Sequence, residues 1–257
     1  MQLKCLTWNI QAGIGTKAYY QYITQWRRQL RHTSHKDRTL AQIGEIISGY
    51  DLVYLQEVDL GGRRSNFLCQ VDQLKRYSKA PYMALQENRK IGKVSRHGNA
   101  LLSKFEIGDQ EDIKLPGSRT GRGAMIALIK AEKPFYAVNT HLSLGTADQI
   151  AQMQYLSEKI PRDHPFILMG DLNCQTRSLP IEYFNAARNS VNLTSEQHKS
   201  YPSWSPRKDF DHVIIGPVSQ IGLQSKLKRT SNGEGSAAEV LEEIHSDHRP
   251  VESIIHI

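Results

Sequence analysis

Asparagine, glutamate, aspartate and histidine recur where apolar runs of this chain end. "LTWNI" reaches Asn9, "VYLQEV" reaches Glu57, "YAVNTHL" carries Asn139 and His141, and "ILMGDLN" carries Asp171 and Asn173. Asp211 opens "FDHVIIG", and "HSDHRP" sets Asp247 and His248 before the last apolar run. Residues two apart on a strand share a face, so Asn139 with His141, and Asp171 with Asn173, form same-face pairs. Any single one could be a turn or cap residue, because Asn and Asp populate strand ends for local hydrogen-bonding reasons. Glu57 resists that reading, since a lone buried carboxylate is costly unless paired or bound to metal.

Taken together, the set has a chemical logic. Glu and Asp with Asn oxygens suit a hard divalent cation such as Mg²⁺, which keeps several waters and needs only one or two protein carboxylates. Histidines add proton donors for a phosphate or a leaving group. A carboxylate beside a hydrogen-bonding Asn can orient and deprotonate water while the amide steadies developing negative charge. Nothing in the chain reads as a Ser or Cys nucleophile arrangement, a phosphate-binding glycine loop or a dinucleotide fingerprint.

The elements that must position these residues are mostly strands. "LKCLTWNI", "DLVYLQEV", "AMIALI", "FYAVNTHL", "FILMGDLN", "FDHVIIG" and "VESIIHI" are short apolar runs rich in branched and aromatic residues. Leu40, Ile43, Ile46 and Ile47 recur at helical spacing before Gly49, as do Ile150, Met153, Leu156 and Ile160 before Pro161. Ser178 is placed to cap a third helix through Ile181 and Phe184, with Pro180 in its first turn. Strands outnumber helices and often follow one another directly, which favours two packed sheets with helices outside over a simple doubly wound sheet. There is no internal repeat, low-complexity tract or flexible linker, so residues 1–257 are expected to form one domain.

Composition narrows the function classes. With 39% hydrophobic and 23% charged residues, the chain reads as an ordinary soluble globular protein. Its formal charge of +7 favours anionic partners such as nucleic acid, phospholipid headgroups or phosphorylated small molecules. Cys5, Cys69 and Cys174 are too few and wrongly spaced for a zinc cluster or disulfide framework, and an odd count fits a reducing compartment. No signal region opens the chain and no apolar run approaches a membrane helix. A cytoplasmic monomer without integral membrane association is the expectation.

In order along the chain, "TWNI", "LQEV", "HGNALLS", "GRGA", "VNTHL", "GDLN", "FDHV" and "SDHRP" resemble the motifs of the endonuclease/exonuclease/phosphatase superfamily. Deoxyribonuclease I, abasic-site endonucleases, neutral sphingomyelinases and inositol polyphosphate 5-phosphatases belong to it. The resemblance runs from residue 3 to the C-terminus. It implies an α/β four-layer sandwich, two facing mixed β-sheets flanked by helices, with the site at one rim. It also implies metal-dependent hydrolysis of a phosphoester by an in-line water, with Mg²⁺ or Mn²⁺ as cofactor. Carried over, Glu57 would be the principal metal ligand with Asn9 as its close neighbour, and Asp247 would lie by the metal and its waters. Asp171 would orient or deprotonate the attacking water and Asn173 would bond the phosphoryl oxygens. His248, held by Asp211, would contact the scissile phosphate, and His141 would donate to the phosphate or leaving oxygen. Asn99 and Arg122 would touch the phosphate; for Arg122 a strand-edge arginine paired with an acid is an equal reading. The resemblance assigns no chemistry to His97 and His212, which are left as structural.

The substrate is less legible, because one site of this kind serves nucleic acids, lipids and inositol phosphates. The histidine of "NTH" sets the chain apart from the abasic-site endonucleases. A phosphodiesterase or nuclease is favoured, on charge and on residues 14–38. There Tyr19, Tyr22, Ile23, Trp26 and Leu30 fall on one helical face beside Arg27, Arg28 and Arg31. That face either meets substrate or packs on the sandwich, and packing is preferred. Ser200 to Phe210 forms a second rim loop in which Trp204 either lines the pocket or covers the core edge. The tract Ser225 to Ser236 reads as a surface loop. A sphingomyelinase-like or inositol-phosphate-type phosphatase is the alternative within the fold. A non-catalytic anion-binding module is the alternative from another class, and the presence of every expected polar residue weighs against it.

Overall fold

The structure, a computed structural model, describes residues 1–24, 26–118, 120–221 and 237–257. One sheet contains β1 (Gln2–Asn9), β2 (Leu52–Asp59), β3 (Tyr82–Ile91), β4 (Ser95–Ser103), β11 (Ala237–Val240) and β12 (Val251–His256), in the order β11-β12-β1-β2-β4-β3. The other contains β5 (Glu106–Lys114), β6 (Gly123–Lys130), β7 (Phe135–His141), β8 (Phe166–Asp171), β9 (Val191–Asn192) and β10 (Asp211–Gly216), in the order β5-β6-β7-β8-β10-β9. Each is mixed: β1 runs parallel to β2 and β7 parallel to β8, while the remaining pairs are antiparallel. The helices α3 (Ser34–Ile47) and α5 (Thr146–Lys159) supply the crossovers that parallel neighbours require.

Alternation along the strands explains the layering. In β1, Leu3 and Cys5 enter the core between the sheets, whereas Leu6 and Trp8 pack outward with Ile43 and Ile47 of α3 and Leu74 of α4 (Gln70–Ser78). In β8, Ile167 and Met169 face inward, and Phe166 and Leu168 meet Met153 and Leu156 of α5 and Phe184 of α6 (Leu179–Arg188). Strands buried on both faces read as near-continuous apolar runs, which is why these two were visible in the sequence. The result is the four-layer sandwich.

The three helices read from periodicity form where expected, although Ser178 occupies the cap position of α6 without a side-chain capping bond. Strands β3, β4, β5, β9 and β11 are additions to the sequence reading; of these β3 and β5 are edge strands and mostly polar, so neither carries an apolar run. Residues 14–38 depart from the expected single amphipathic helix. They hold two short helices, α1 (Gln21–Thr24) and α2 (Trp26–Leu30), and then the start of α3. No residue of α1 is fully buried, and Tyr19, Ile23 and Leu30 are exposed; among the described residues this face meets the sandwich through Tyr22 on Asp247 and Tyr19 on Trp204. The tract Ser225 to Ser236, and the side chains of Trp26 and Arg27, lie outside the described residues.

Candidate active site

Asn9 and Asp171 continue the inward-facing series of β1 and β8, so the two strands aim them at each other at one end of the sandwich. There Asn9 Nδ2 donates to Asp171 Oδ2 at 3.1 Å, linking the sheets. Strand register gathers the rest of that wall, because His141, Asp171 and Asp211 stand side by side across β7, β8 and β10. Gly170 makes the row tight. Its φ is 156°, and a Cβ there would lie 1.9 Å from the Thr140 carbonyl oxygen, so only glycine allows β8 this close to β7.

Glu57 reaches the cleft through a defect. The register of β2 against β4 slips between Leu55 and Val58, and Glu57 adopts φ 56°. A bulge of this kind re-aims a side chain out of the strand's alternation. Asn139 braces it from the facing sheet: its Nδ2 donates to the carbonyls of Leu55 at 3.0 Å and Ala100 at 2.8 Å, and its Oδ1 accepts from Gln56 Nε2 at 2.8 Å. Asn139, the same-face partner of His141, is thus a cross-brace between sheets.

The polar groups converge on Asp171. Its Oδ2 lies 3.3 Å from His141 Nε2 and 3.5 Å from His248 Nε2, and its Oδ1 accepts the Asn173 backbone N–H at 3.0 Å. The other nitrogen of His248, Nδ1, is 2.7 Å from Asp211 Oδ2, which also accepts from Ser200 Oγ at 2.5 Å. Tyr201 packs its ring 4.8 Å from that of His248. Burial works against a charged His248, but Asp211 and then Asp171 outweigh it and hold the ring's pKa well above the ordinary value. Asp171 is pushed up to about 7, chiefly by burial, with His248 pulling the other way. His141 is driven well below the histidine range by burial and by the Arg122 guanidinium, which contacts its Nε2. The two histidines are therefore pushed in opposite directions, His248 toward the charged form and His141 toward the neutral one, on either side of a single carboxylate.

Glu57 and Asp247 form the opposite wall. Asp247 Oδ2 accepts from Tyr22 Oη at 2.6 Å and from Gln11 Nε2 at 3.1 Å. Burial, and next the charge of Asp247, push the carboxyl of Glu57 up, with Arg122 and His248 opposing. Two acidic side chains that repel each other at the mouth of a cleft, flanked by the amide of Asn9, are a donor set that a hard divalent cation fits. The oxygens and nitrogen of Asp171, Asp211 and His248 also lie within 4.8 Å of one another. There, however, Asp211 Oδ2 already meets His248 Nδ1 and Ser200 Oγ and only its buried Oδ1 lacks a partner, so that trio is the weaker cation site.

Of the remaining expected residues, Asn173 lines the same cleft, a cavity of about 740 Å³, and donates one amide hydrogen to the Leu142 carbonyl at 3.0 Å. Asn99 lines an adjoining cavity of about 480 Å³ that shares Glu57, Arg122 and His141 with the first. Both amide hydrogens of Asn99 are engaged, by Gln86 Oε1 at 3.1 Å and the Gly123 carbonyl at 3.2 Å, and its Oδ1 has no partner. His212 is held by Thr194 and the Cys174 carbonyl, away from the cleft. Trp204 meets Tyr19 edge-on, and Tyr201 lines the cleft instead. Sequence reasoning did not single out Gln11, Ser200 or Tyr201. Their only signal was proximity to Asn9 and Asp211 along the chain.

The profile of the Endonuclease/Exonuclease/phosphatase family matches residues 6–233. Among solved structures, an endonuclease/exonuclease/phosphatase from Beutenbergia cavernae superposes with TM-score 0.70 at 18% identity, covering 100% of this chain and 72% of that one. The Bacteroides thetaiotaomicron mannosyl-6-phosphatase Bt3783 gives TM-score 0.70 at 14% identity, covering 98% and 99%. A humanized D. rerio TDP2 gives 0.65 at 15% identity, covering 100% and 99%. At these identities the likeness shows a shared fold. No curated protein sequence matches the chain. With the profile spanning most of its length and both sheets in place, the chain belongs to the endonuclease/exonuclease/phosphatase family.

Proposed function

We propose that the chain is a Mg²⁺- or Mn²⁺-dependent phosphodiesterase that cleaves P–O bonds by direct attack of water, with nucleic acid the favoured substrate. The observation that carries this is the placement of Asp171 between Asn9 and the His248–Asp211 pair, all at one rim.

Asp171 is the base. A carboxylate held near neutrality can take a proton from water at working pH, whereas one of ordinary acidity is a poor acceptor. Asn9 fixes the orientation of its Oδ2, and the Asn173 backbone fixes its Oδ1. His248, kept cationic by Asp211, offers an Nε2–H toward a phosphoryl oxygen. Asn173 retains a second amide hydrogen for the same group. Arg122 adds a fixed positive charge, and His141, neutral in this arrangement, lines the side from which the leaving oxygen departs. A divalent cation held by Glu57 and Asp247, with Asn9 alongside, would offset the charge that builds on the phosphoryl group. Together these groups give positioning and electrostatic stabilisation without a covalent intermediate.

The test is hydrolysis of plasmid DNA, single-stranded DNA, RNA, bis-p-nitrophenyl phosphate, sphingomyelin and an inositol polyphosphate, each with and without chelator. Turnover that vanishes in chelator and in Asp171→Ala and His248→Ala supports the reading, and the fastest substrate selects the branch. A phosphomonoesterase for a phosphorylated polyol is the second reading, favoured by the polar cavity beside Arg122. Release of inorganic phosphate would distinguish it. Absence of any turnover, with tight metal-independent binding of one anion, would indicate a binding module.

A further inference from the structure

We propose that the cavity beside the reacting position is a subsite for a second phosphate group of the substrate, with Arg89 and Arg122 as its cationic wall. This deepens the phosphoesterase reading and rests on it.

Backbone irregularity builds the subsite. The register of β3 against β4 slips between Glu87 and Arg89, and the bulge sets Arg89 across from His97. Gly121 has φ 91°, and a Cβ there would lie 3.0 Å from Cβ of Arg89. The glycine therefore lets the loop carrying Arg122 close on the stem of Arg89, and both arginines line one cavity of about 480 Å³. That volume is within the range of about 300–1,000 Å³ typical of small-molecule sites.

Charge accounting shows why the subsite would attract an anion. Neighbouring acids are already committed: Glu87 pairs with Arg96 at 2.6 Å, and Asp59 pairs with Arg64. Arg89 is exposed and has no ion pair among the described residues. Glu57 is the one carboxylate in the cavity wall among the described residues, and it belongs to the cation side of the site. His97, in the same wall, is kept neutral by burial and by Arg64, and accepts from Arg64 Nη2 at 3.1 Å. The unpartnered Oδ1 of Asn99 gives the cavity a buried acceptor suited to a hydroxyl. Two guanidiniums and a hydroxyl acceptor match a phosphate carried on a sugar or other polyol. The alternative is that Arg89 is a solvated charge that merely discourages pairing at the β3 edge.

The next nucleotide of a polynucleotide, or the second phosphate of a small bisphosphate, could supply the group. The experiment is calorimetric titration of the full chain in chelator, where metal-dependent turnover cannot interfere. The probes are the dithymidine phosphate TpT against pTpT and TpTp, and fructose 6-phosphate against fructose 1,6-bisphosphate. In the wild type, one added phosphate should tighten binding about tenfold, the scale of a charge-assisted pair. In Arg89→Gln that gain should fall below about twofold, and Arg89→Lys should recover part of it. A gain confined to the dinucleotides identifies a polynucleotide source, and one confined to the sugar identifies a small molecule. No gain in the wild type, or the same gain in Arg89→Gln, overturns the subsite. Bis-p-nitrophenyl phosphate assayed with Mg²⁺ or Mn²⁺ tests the phosphoesterase reading separately. A retained gain without turnover would remove that reading and leave a phosphate-binding site.

Discussion

Asp211 stands directly opposite Asp171 in the pairing of β8 with β10, and His248 bridges the two carboxylates with its two ring nitrogens. Adjacent carboxylates in register would repel if both faced each other bare. The imidazolium resolves this by taking Asp211 on one side and leaving Asp171 poised near neutrality on the other.

Asp171→Asn should reduce kcat by about 10²–10⁴, the usual contribution of a positioned acid or base. Relief of a buried charge favours the variant, but both oxygens of Asp171 accept, from Asn9 Nδ2 and the Asn173 N–H, so the new amide donor opposes one of them and Tm should fall modestly. Paired measurements of kcat and thermal unfolding check this. A large fall in Tm would show that the carboxylate is structural.

Asp211→Asn removes the strongest of the three carboxylate influences, Asp211, Asp171 and Asp247, that raise the His248 pKa. The pKa of the ring should fall, and at neutral pH in chelator its nitrogen NMR shifts should move from the imidazolium pattern toward the neutral one. Phosphate-stabilising activity should fall with it. An unchanged imidazolium signal would mean that Asp171 and Asp247 suffice without Asp211.

Glu57→Gln preserves shape and removes the repulsion from Asp247. Stability without metal should be equal or higher. Millimolar Mg²⁺ or Mn²⁺ should raise Tm of the wild type, since a ligand bound only by the folded state stabilises it, and that increment should disappear in the variant. Thermal melts with and without metal decide the matter. An equal increment in both proteins would place the cation elsewhere.

His97 makes stability pH-dependent. Its folded pKa is pushed down to about 3, by burial and then Arg64, from an ordinary value of 6.5. As pH falls below 6.5, the unfolded chain gains the proton first, so stability is lost down to about pH 3. This group alone contributes at most about 1.4 kcal/mol per pH unit in that window. Denaturant unfolding at several pH values should show a shallower acid slope for His97→Gln than for the wild type.

How much of this could be read in advance depended on the residue. Asn9, Glu57 and Asp171 stand at or near the ends of apolar strands and His248 just before one, and a polar residue in that position announces itself. Residues Tyr22 and Arg89 did not. Tyr22 sits in a segment whose spacing suggested an amphipathic helix, yet only contact with Asp247, 225 positions away, gives it a role. Arg89 owes its direction to a bulge in a polar edge strand, and one extra residue in a ladder leaves no periodic trace in sequence. Asn139 looked like a partner of His141. Its function as a brace required knowing that the two sheets meet face to face at Leu55 and Ala100.

The indole N–H of Trp8 donates to the carbonyl of His248 at 2.9 Å, joining positions 240 residues apart. Asn9 and Asp247, likewise from opposite regions of the sequence, belong to one wall of the cleft, while Asp171, the carboxylate proposed to activate water, comes from the middle. No contiguous part of the chain holds a working half. Competence is therefore a property of closure: it should appear last during folding, after both sheets have met. It should also disappear first when they begin to slide apart, making hydrolysis a more sensitive gauge of that seam than any measure of secondary structure.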